Sequence, residues 1–186
     1  MTEEDEVPPA RIETSRLILD RHRVADFGPL AAMWADPEIV RHIGGQPFSR
    51  QDSWMRLLRY RGLWPLLGYG YWAIREKGTD RFVGDLGFAD FRREIEPPII
   101  GLPEAGWVLA SWAHGRGFAT EALAAALAWL DTKSEIERSV CLIDPANTAS
   151  LRVASKNGFR PFQTIRFRDH ATAMLVRRTP KPAAGK

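Results

Sequence analysis

The chain has little of what builds disulfides or metal centres. Cys141 is its single cysteine, which excludes an intramolecular disulfide, and the four histidines are too scattered along the sequence to predict a metal site. No apolar run approaches the ~18 residues that span a bilayer, and the acidic amino terminus lacks the apolar segment of a secretory signal. We therefore expect a cytoplasmic protein with no metal site and no membrane partner.

Neither sign of charge is in large excess. The 186 residues include 26 basic and 23 acidic side chains, a net charge of +3, but four of the acids crowd into the segment Glu3 to Glu6 without a base. The rest of the chain is therefore more basic than the net charge implies. That bias suits a polyphosphate ligand as well as a nucleic acid, and by itself it selects neither.

Length and composition fit one globular domain between two tails. Hydrophobic residues make up 45% of the 186 positions, enough for a sizeable core, and the length does not require a second domain. Positions 1–10 are acidic and contain Pro8-Pro9, and positions 179–186 read TPKPAAGK. We expect both ends to be flexible and the single domain to occupy 11–178.

Hydrophobic spacing within 11–178 predicts about six or seven strands and about four helices. We expect helices that begin near Asp26, Ser49, Ala119 and Asn147, with the second ending at Gly62 to Pro65. The predicted strands cover 16–21, 72–75, 81–88, 104–110, 139–143, 159–167 and 171–176. This mixture defines an α/β (α+β) domain, in which strand 104–110 lies parallel to strand 139–143 because a helix connects them.

The segment His114 to Thr120, between a strand and an alanine-rich helix, is suited to bind an anion. Its glycines, Gly115 and Gly117, let the backbone turn with N–H groups exposed, and the following helix directs its positive end to the same place. These N–H groups can surround a pyrophosphate without the help of a lysine. We therefore expect the phosphates of a cofactor to bind here.

Two other glycine patterns fail as phosphate sites. Gly101 to Gly106 has the glycine spacing of a P-loop, but Trp107 stands where the lysine is required. Gly68-Tyr69-Gly70 matches a relaxed dinucleotide fingerprint, yet it lacks a preceding strand and leads into strand-like sequence. The loop at His114 has both of the neighbours that a phosphate loop needs.

Several motifs occur in the order typical of one family. They are Thr14-x-Arg16-Leu17-x-Leu19, Glu104-x-Gly106-Trp107-x-Leu109, Trp112-x-His114-Gly115-Arg116-Gly117-Phe118-Ala119-Thr120-Glu121-Ala122, Asn147-x-x-Ser150 and Lys156-Asn157-Gly158-Phe159. Across residues 12–176 the chain resembles the GNAT superfamily of acetyl-CoA-dependent N-acetyltransferases, and most of all the branch that contains ribosomal-protein-alanine N-acetyltransferases. The resemblance implies the GNAT fold, a mixed, mostly antiparallel sheet whose splayed parallel strand pair holds the cofactor.

The resemblance also assigns a cofactor, acetyl-CoA, and its contacts. The family's pyrophosphate loop falls on His114, Gly117 and Ala119, with histidine in place of the usual glutamine or arginine, so backbone N–H groups are expected to carry the binding. The strand before the loop pairs with the pantetheine arm, and the helix start at Asn147 contacts that arm near the sulfur. The implied cofactor-binding residues are Val108, Leu109, Ala110, His114, Gly115, Arg116, Gly117, Phe118, Ala119, Thr120, Asn147 and Ser150.

Acetylation of an amine needs a proton acceptor, an oxyanion donor and a proton donor. Glu104 begins the strand that lines the cleft and is our candidate base, acting through water; the alternative is a solvated carboxylate at a strand end. Backbone N–H groups near Leu109 are expected to hold the oxyanion. Many relatives have a tyrosine that acts as the acid where this chain has Ala154. The resembling branch instead suggests Ser150 as the acid. The alternative is that Ser150 serves only as part of the helix start that Asn147 caps.

The expected reaction passes an acetyl group directly to a primary amine, since a predicted buried strand makes Cys141 a poor nucleophile. The branch implies a protein N-terminal α-amine, and small-molecule amines stay open. Many aromatic residues in the first half lie where this family builds its acceptor pocket: Trp34, Trp54, Tyr60, Trp64, Tyr69, Tyr71 and Trp72. We expect most of them in the core, and any that line the cleft to favour an apolar or cationic acceptor.

Two other functions compete with this one. The replacement of the usual tyrosine by Ala154 leaves open a non-catalytic acyl-CoA-binding or sensing module. A nucleic-acid binder would depend on arginines such as Arg56, Arg59 and Arg61, but the chain has no recognised reader motif, and we expect no nucleic-acid partner. Homodimers are frequent in the resembling family, although no residue here requires one.

Overall fold

The sheet has eight strands in the computed structural model, which describes residues 11–180. Their order across the sheet is β1-β2-β3-β4-β5-β6-β8-β7. The strands are β1 (Ile12–Glu13), β2 (Leu17–Arg21), β3 (Tyr71–Glu76), β4 (Phe82–Ala89), β5 (Glu104–Leu109), β6 (Arg138–Ile143), β7 (Arg160–Phe167) and β8 (His170–Arg178). Each predicted strand is present, and the additional β1 escaped prediction because two residues show no alternation. The predicted tails at 1–10 and from 181 onward lie outside the described residues.

Within residues 11–180, five helices flank the sheet. They are α1 (Phe27–Trp34), α2 (Pro37–Val40), α3 (Arg50–Leu67), α4 (Phe118–Leu130) and α5 (Thr148–Lys156), with 3-10 turns at Val24–Asp26 and Ser111–Ala113. Helix α2 was not predicted, because Asp36-Pro37 was interpreted only as the end of α1. The Asp36 side chain accepts a hydrogen bond from the Glu38 amide, and Pro37 occupies the first turn, so the pair also begins a helix. None of these helices is long and apolar enough to cross a membrane.

Helix α3 continues past its predicted end at Gly62 to Pro65. It ends at Gly68, where φ is 69° and the amide donates to the Trp64 carbonyl at 3.0 Å. Pro65 lies in the last turn, and the buried side chains of Tyr60 and Trp64 hold that part of the helix against the core. Packing thus outweighs the single hydrogen bond that a proline removes, and a left-handed glycine ends the helix.

The sheet separates the helices into two layers. Side chains alternate between its faces, and the strand registers place Tyr71 of β3 and Gly106 of β5 on the same one, which we call the first face. Helices α1 to α3 cover this face, where Leu57 packs near Ala73. Helices α4 and α5 cover the second face, and Cys141 is buried there.

The parallel strands β5 and β6 diverge. Their register pairs only Glu104 with Val140, supported by the Val140 amide, which donates to the Pro103 carbonyl at 3.0 Å. Beyond that point the strands continue to Leu109 and Ile143 without a further registered pair. The edge of β5 that faces β6 is therefore open in its second half, as predicted for a pair that holds a cofactor.

Two hydrogen bonds hold Thr179, the first residue of the predicted tail, to the segment before β6. Its amide donates to the Glu137 carbonyl at 2.8 Å and its hydroxyl to the Ile136 carbonyl at 2.6 Å.

Candidate active site

The loop from His114 to Thr120 presents a row of backbone amides. Gly115 and Gly117 have φ angles of 73° and 78°, the left-handed conformation that glycine adopts at least cost. Within residues 11–180, the amides of 115–117 have no backbone acceptor, and the first turn of α4 leaves those of 118–120 without an intrahelical partner. A run of free donors at a helix start fits the negative charge of a pyrophosphate.

A carboxylate of α4 ties this loop to the turn between β1 and β2. Glu121 accepts hydrogen bonds from the Thr14 hydroxyl at 2.5 Å, the Ser15 hydroxyl at 3.1 Å and the Arg16 amide at 3.0 Å. The Arg16 guanidinium donates to Glu121 at 2.7 Å and to the Arg116 carbonyl at 2.9 Å. Sequence reasoning treated Thr14 and Arg16 only as part of a family motif and gave Glu121 no role. Together these residues hold the loop against the sheet.

The side chains of His114 and Arg116 are engaged with the protein. His114 Nε2 lies 2.9 Å from the Leu109 carbonyl oxygen, so the imidazole braces the loop against the end of β5. Arg116 donates to Glu76 at 2.7 Å, and its guanidinium lies 4.4 Å from the centroid of the Phe118 ring. Both side chains stabilise the shape of the loop, while the backbone amides stay available to a ligand.

The residues expected to pair with pantetheine lie on the open edge of β5. Val108 and Leu109 pair with β4 on one side, and the Ala110 amide donates to the Val83 carbonyl at 2.9 Å. On the side that faces β6, none of the three has a registered partner within residues 11–180. An extended ligand can therefore add to this edge as a further strand would.

Glu104 is buried at the start of β5 and bound to Arg93. It is 6% exposed, and Arg93 donates Nε to Oε2 at 2.6 Å and Nη2 to Oε1 at 2.8 Å. The interpretation of Glu104 as a solvated strand-end carboxylate is therefore wrong. A bidentate pair fixes the position of the carboxylate, yet each oxygen keeps a second lone pair that can accept from water.

Asn147 and Ser150 lie at the start of α5. The Asn147 side-chain oxygen accepts from the Ser150 amide at 3.0 Å, so Asn147 is the N-cap of this helix. Within residues 11–180 the Ser150 hydroxyl has no hydrogen-bond partner. Ala154, one turn further on, is fully buried and supplies no polar group. The Ser150 hydroxyl is therefore available to a ligand at this helix start.

Tyr71 is buried, as expected for most of the aromatic residues in the first half, and its hydroxyl reaches β5. The residue is 6% exposed, and its ring stacks on that of Tyr60 with centroids 4.3 Å apart. A Cβ added to Gly106 would collide with the Tyr71 hydroxyl. Burial, reinforced by Tyr60, raises the pKa of Tyr71 well above its usual value, so the phenol stays protonated. The glycine inside the motif at Gly106 was the sequence signal that could have indicated this contact.

The segment after α1 crosses the open end of the strand pair. The Ser111 hydroxyl, just beyond β5, donates to Asp36 at 2.7 Å. His42 Nδ1 lies 2.6 Å from a carboxylate oxygen of Asp144, just beyond β6, and this bond, followed by that from the Ala146 amide, lowers the pKa of Asp144. The segment from Asp36 to His42 thus contacts the residues that follow β5 and β6, at the end where these two strands are no longer paired.

Comparisons with known proteins agree on one family. A family model described as an acetyltransferase (GNAT) domain matches residues 16–160. The chain is 30% identical over 167 residues to YkkB of Bacillus subtilis, which covers 88% of this chain and 91% of YkkB. A structure from Bordetella pertussis assigned to the GNAT family of acetyltransferases superposes with a TM-score of 0.79 and 32% identity, covering 90% of this chain and 98% of that one. The chain belongs to the GNAT acetyltransferase family.

More distant structures share the fold. The ribosomal-protein-S5-alanine acetyltransferase of Vibrio fischeri has a TM-score of 0.69 and 17% identity, covering 92% of this chain and 99% of that one. The spermidine N-acetyltransferase of Vibrio cholerae, solved with CoA and spermine, has a TM-score of 0.69 and 14% identity, covering 89% and 97%. The predicted fold, family and enzyme class are confirmed. The protein is an acetyltransferase of a family that moves acetyl groups from acetyl-CoA to amines.

Proposed function

We propose that the protein transfers the acetyl group of acetyl-CoA directly to a primary amine, and that a peptide α-amine is the acceptor best suited to its site. The observation that carries this proposal is the row of free amides at 115–120 beside the open edge of β5. The amides would hold the pyrophosphate, and Val108 to Ala110 and Asn147 the pantetheine arm. Bound there, acetyl-CoA supplies a thioester carbonyl that an amine can attack.

The ion pair of Glu104 supports an acceptor that is easy to deprotonate. At pH 7, a lysine-like amine of pKa ~10.4 needs about 4.6 kcal/mol to reach its neutral form, whereas an α-amine near ~7.8 needs about 1 kcal/mol. Both carboxylate oxygens of Glu104 already accept a hydrogen bond from Arg93. Acting through a water, Glu104 can accept the proton of an α-amine far more readily than that of a lysine.

Two hydroxyls are candidates for returning a proton to the departing thiolate. Ser150 lies at the helix start next to the expected pantetheine arm, and its hydroxyl is free. The Tyr71 hydroxyl lies over Gly106 on the first face and is held in its protonated form. Backbone N–H groups near Leu109 would hold the oxyanion. Burial, followed by the charge of Glu104, raises the pKa of Cys141, which supports direct transfer over a cysteine intermediate.

Product analysis on the full chain tests the proposal. The protein is incubated with acetyl-CoA and either peptides with a free N-terminal alanine or N-terminally blocked peptides that contain lysine, and thiol release and acetylated products are measured. We expect acetylation of the α-amine and a kcat at least ~10-fold lower in Glu104→Gln. Glu94→Gln, which removes a nearby exposed carboxylate, is the matched control. Calorimetric CoA binding without turnover on any amine would instead favour the acyl-CoA-binding module.

A further inference from the structure

A cleft of about 510 Å³ opens on the first face, between the loop after α2 and helix α3. The loop contributes Gln46 to Phe48, and the helix contributes Asp52, Met55, Arg56 and Arg59. Nothing in the reaction outlined above uses this cleft. Its lining combines apolar side chains with two guanidinium groups and one carboxylate.

The two arginines of the cleft have no carboxylate partner within residues 11–180. Arg56 donates to the Tyr60 hydroxyl at 3.1 Å, while its Nε is buried and without an acceptor. Arg59 is exposed, yet desolvation by nearby protein atoms, followed by the positive charge of Arg56, lowers its pKa. Like charges that face the same cleft leave a positive potential that an anion would relieve.

The aromatic faces around the cleft are already covered by these cations. The Arg56 guanidinium lies 3.7 Å from the Trp34 ring centroid and 4.5 Å from that of Phe48. Arg59 lies 5.5 Å from the Phe91 ring centroid. The expectation that aromatic residues here favour a cationic acceptor therefore does not apply, because the protein's own guanidinium groups occupy the positions that such a cation would take.

Packed side chains connect the cleft to β5. Arg56 bonds to the Tyr60 hydroxyl, the Tyr60 ring stacks on Tyr71 with an interplanar angle of 2°, and the Tyr71 hydroxyl lies over Gly106. All of these groups lie on the first face. A molecule in the cleft is thus on the same side of the sheet as the start of β5, where Glu104 lies.

We infer that the acceptor is an amine that also carries a carboxylate, which Arg56 and Arg59 bind in this cleft. This inference rests on the proposed acetyl transfer to an amine. Asp52 also lines the cleft, but its carboxylate is held at the start of α3 by the Ser49 hydroxyl at 2.6 Å and amide at 3.1 Å, and two guanidinium groups exceed its single charge. Polycations such as spermidine are repelled, so the cleft selects against them.

Matched acceptors test the inference. The tetrapeptide amides Ala-Asp-Asp-Phe-NH2 and Ala-Asn-Asn-Phe-NH2 differ only in their side-chain carboxylates, and free alanine and alaninamide form the corresponding small-molecule pair. We expect kcat/KM to be about tenfold higher for the acidic member of at least one pair. A preference within the peptide pair identifies a peptide acceptor, and a preference within the small-molecule pair identifies a free amino acid. The preference should shrink with added salt and approach one in Arg59→Gln and Arg56→Gln. Arg61→Gln, on the same helix but outside the cleft, should keep it.

Several results would overturn the inference. Equal turnover of both members of each pair, faster turnover of spermidine, or a preference that survives in the double variant Arg56→Gln/Arg59→Gln would each do so. Calorimetry of tetrapeptide binding to the CoA-loaded protein distinguishes two outcomes: a cleft that does not bind carboxylates, and a protein that does not transfer acetyl groups. Tighter binding of the acidic peptide without any turnover would support the cleft and contradict the transferase activity.

Discussion

Arg16, in the turn just before β2, and Glu121 of α4 join the sheet to the helix whose first turn presents the free amides. The Arg16 guanidinium donates to one carboxylate oxygen at 2.7 Å and the Arg16 amide to the other at 3.0 Å. The same guanidinium reaches the Arg116 carbonyl inside the loop at 2.9 Å. Glu121 carries a negative charge close to an anion site, so it acts by fixing the backbone and not by contact with phosphate.

Glu121→Gln is expected to lower both stability and CoA affinity at neutral pH. Burial favours the neutral acid, but hydrogen bonds from Thr14 and Arg16 outweigh it and lower the pKa of Glu121. A lowered pKa in the folded state stabilises the protein above the ordinary pKa of glutamate, and this contribution is lost as the pH falls through the lowered value. Urea unfolding should therefore show a gap of about 1–2 kcal/mol between wild type and variant at pH 7 that narrows below about pH 4. A gap that does not change with pH would contradict this role.

Gly117→Asp should weaken CoA binding much more than Gly117→Asn. Both side chains have nearly the same shape, and both residues tolerate the left-handed conformation at φ of 78° better than most. Only aspartate adds a negative charge at the amide row, where it would occupy the anion site and repel the pyrophosphate. Calorimetric titration with CoA should give a Kd for the Asp variant at least ~10-fold above that of the Asn variant. Equal affinities would show that the phosphates bind elsewhere.

Gly106→Ala should destabilise the protein, and Tyr71→Phe should partly relieve the effect. A Cβ at Gly106 collides first with the Tyr71 hydroxyl and next with the ring carbon that bears it, at 3.3 Å. We expect a loss of about 1–3 kcal/mol in the single variant, as for other overpacked sites. Urea unfolding of both single variants and the double variant forms a cycle whose coupling term measures this contact. Simple additivity would mean that the hydroxyl does not lie over Gly106.

Most elements of this fold could be predicted because each of those has a local cause. Each of three predicted features depends on residues that are close together in the sequence: the loop with Gly115 and Gly117, the amphipathic pattern of α4 and the N-cap at Asn147. The contacts that define the site are different, because they join distant positions. Arg16 meets Glu121 and Tyr71 meets Gly106 only after the sheet has formed, and no periodicity indicates which partner a charged or aromatic residue will find.

The same limit explains why the surroundings of Glu104 were only partly predicted. Its place at the start of β5 followed from the strand pattern and from the family motif. Its partner did not, because Arg93 lies in the irregular segment between β4 and β5, where neither alternation nor capping fixes the direction of a side chain. The carboxylate, for which solvent exposure was the alternative interpretation, is therefore buried and paired.

Substitutions at the start of α5 should separate helix capping from chemistry. Asn147→Ala removes the oxygen that accepts from the Ser150 amide at 3.0 Å and should cost about 1 kcal/mol of stability. Ser150→Ala keeps that amide and deletes only a hydroxyl without a partner, so unfolding in urea should be almost unchanged. If the hydroxyl protonates the thiolate, Ser150→Ala lowers kcat with little change in KM, because the lost interaction arises in the transition state. If Tyr71 supplies the proton instead, Tyr71→Phe shows that loss and Ser150→Ala does not.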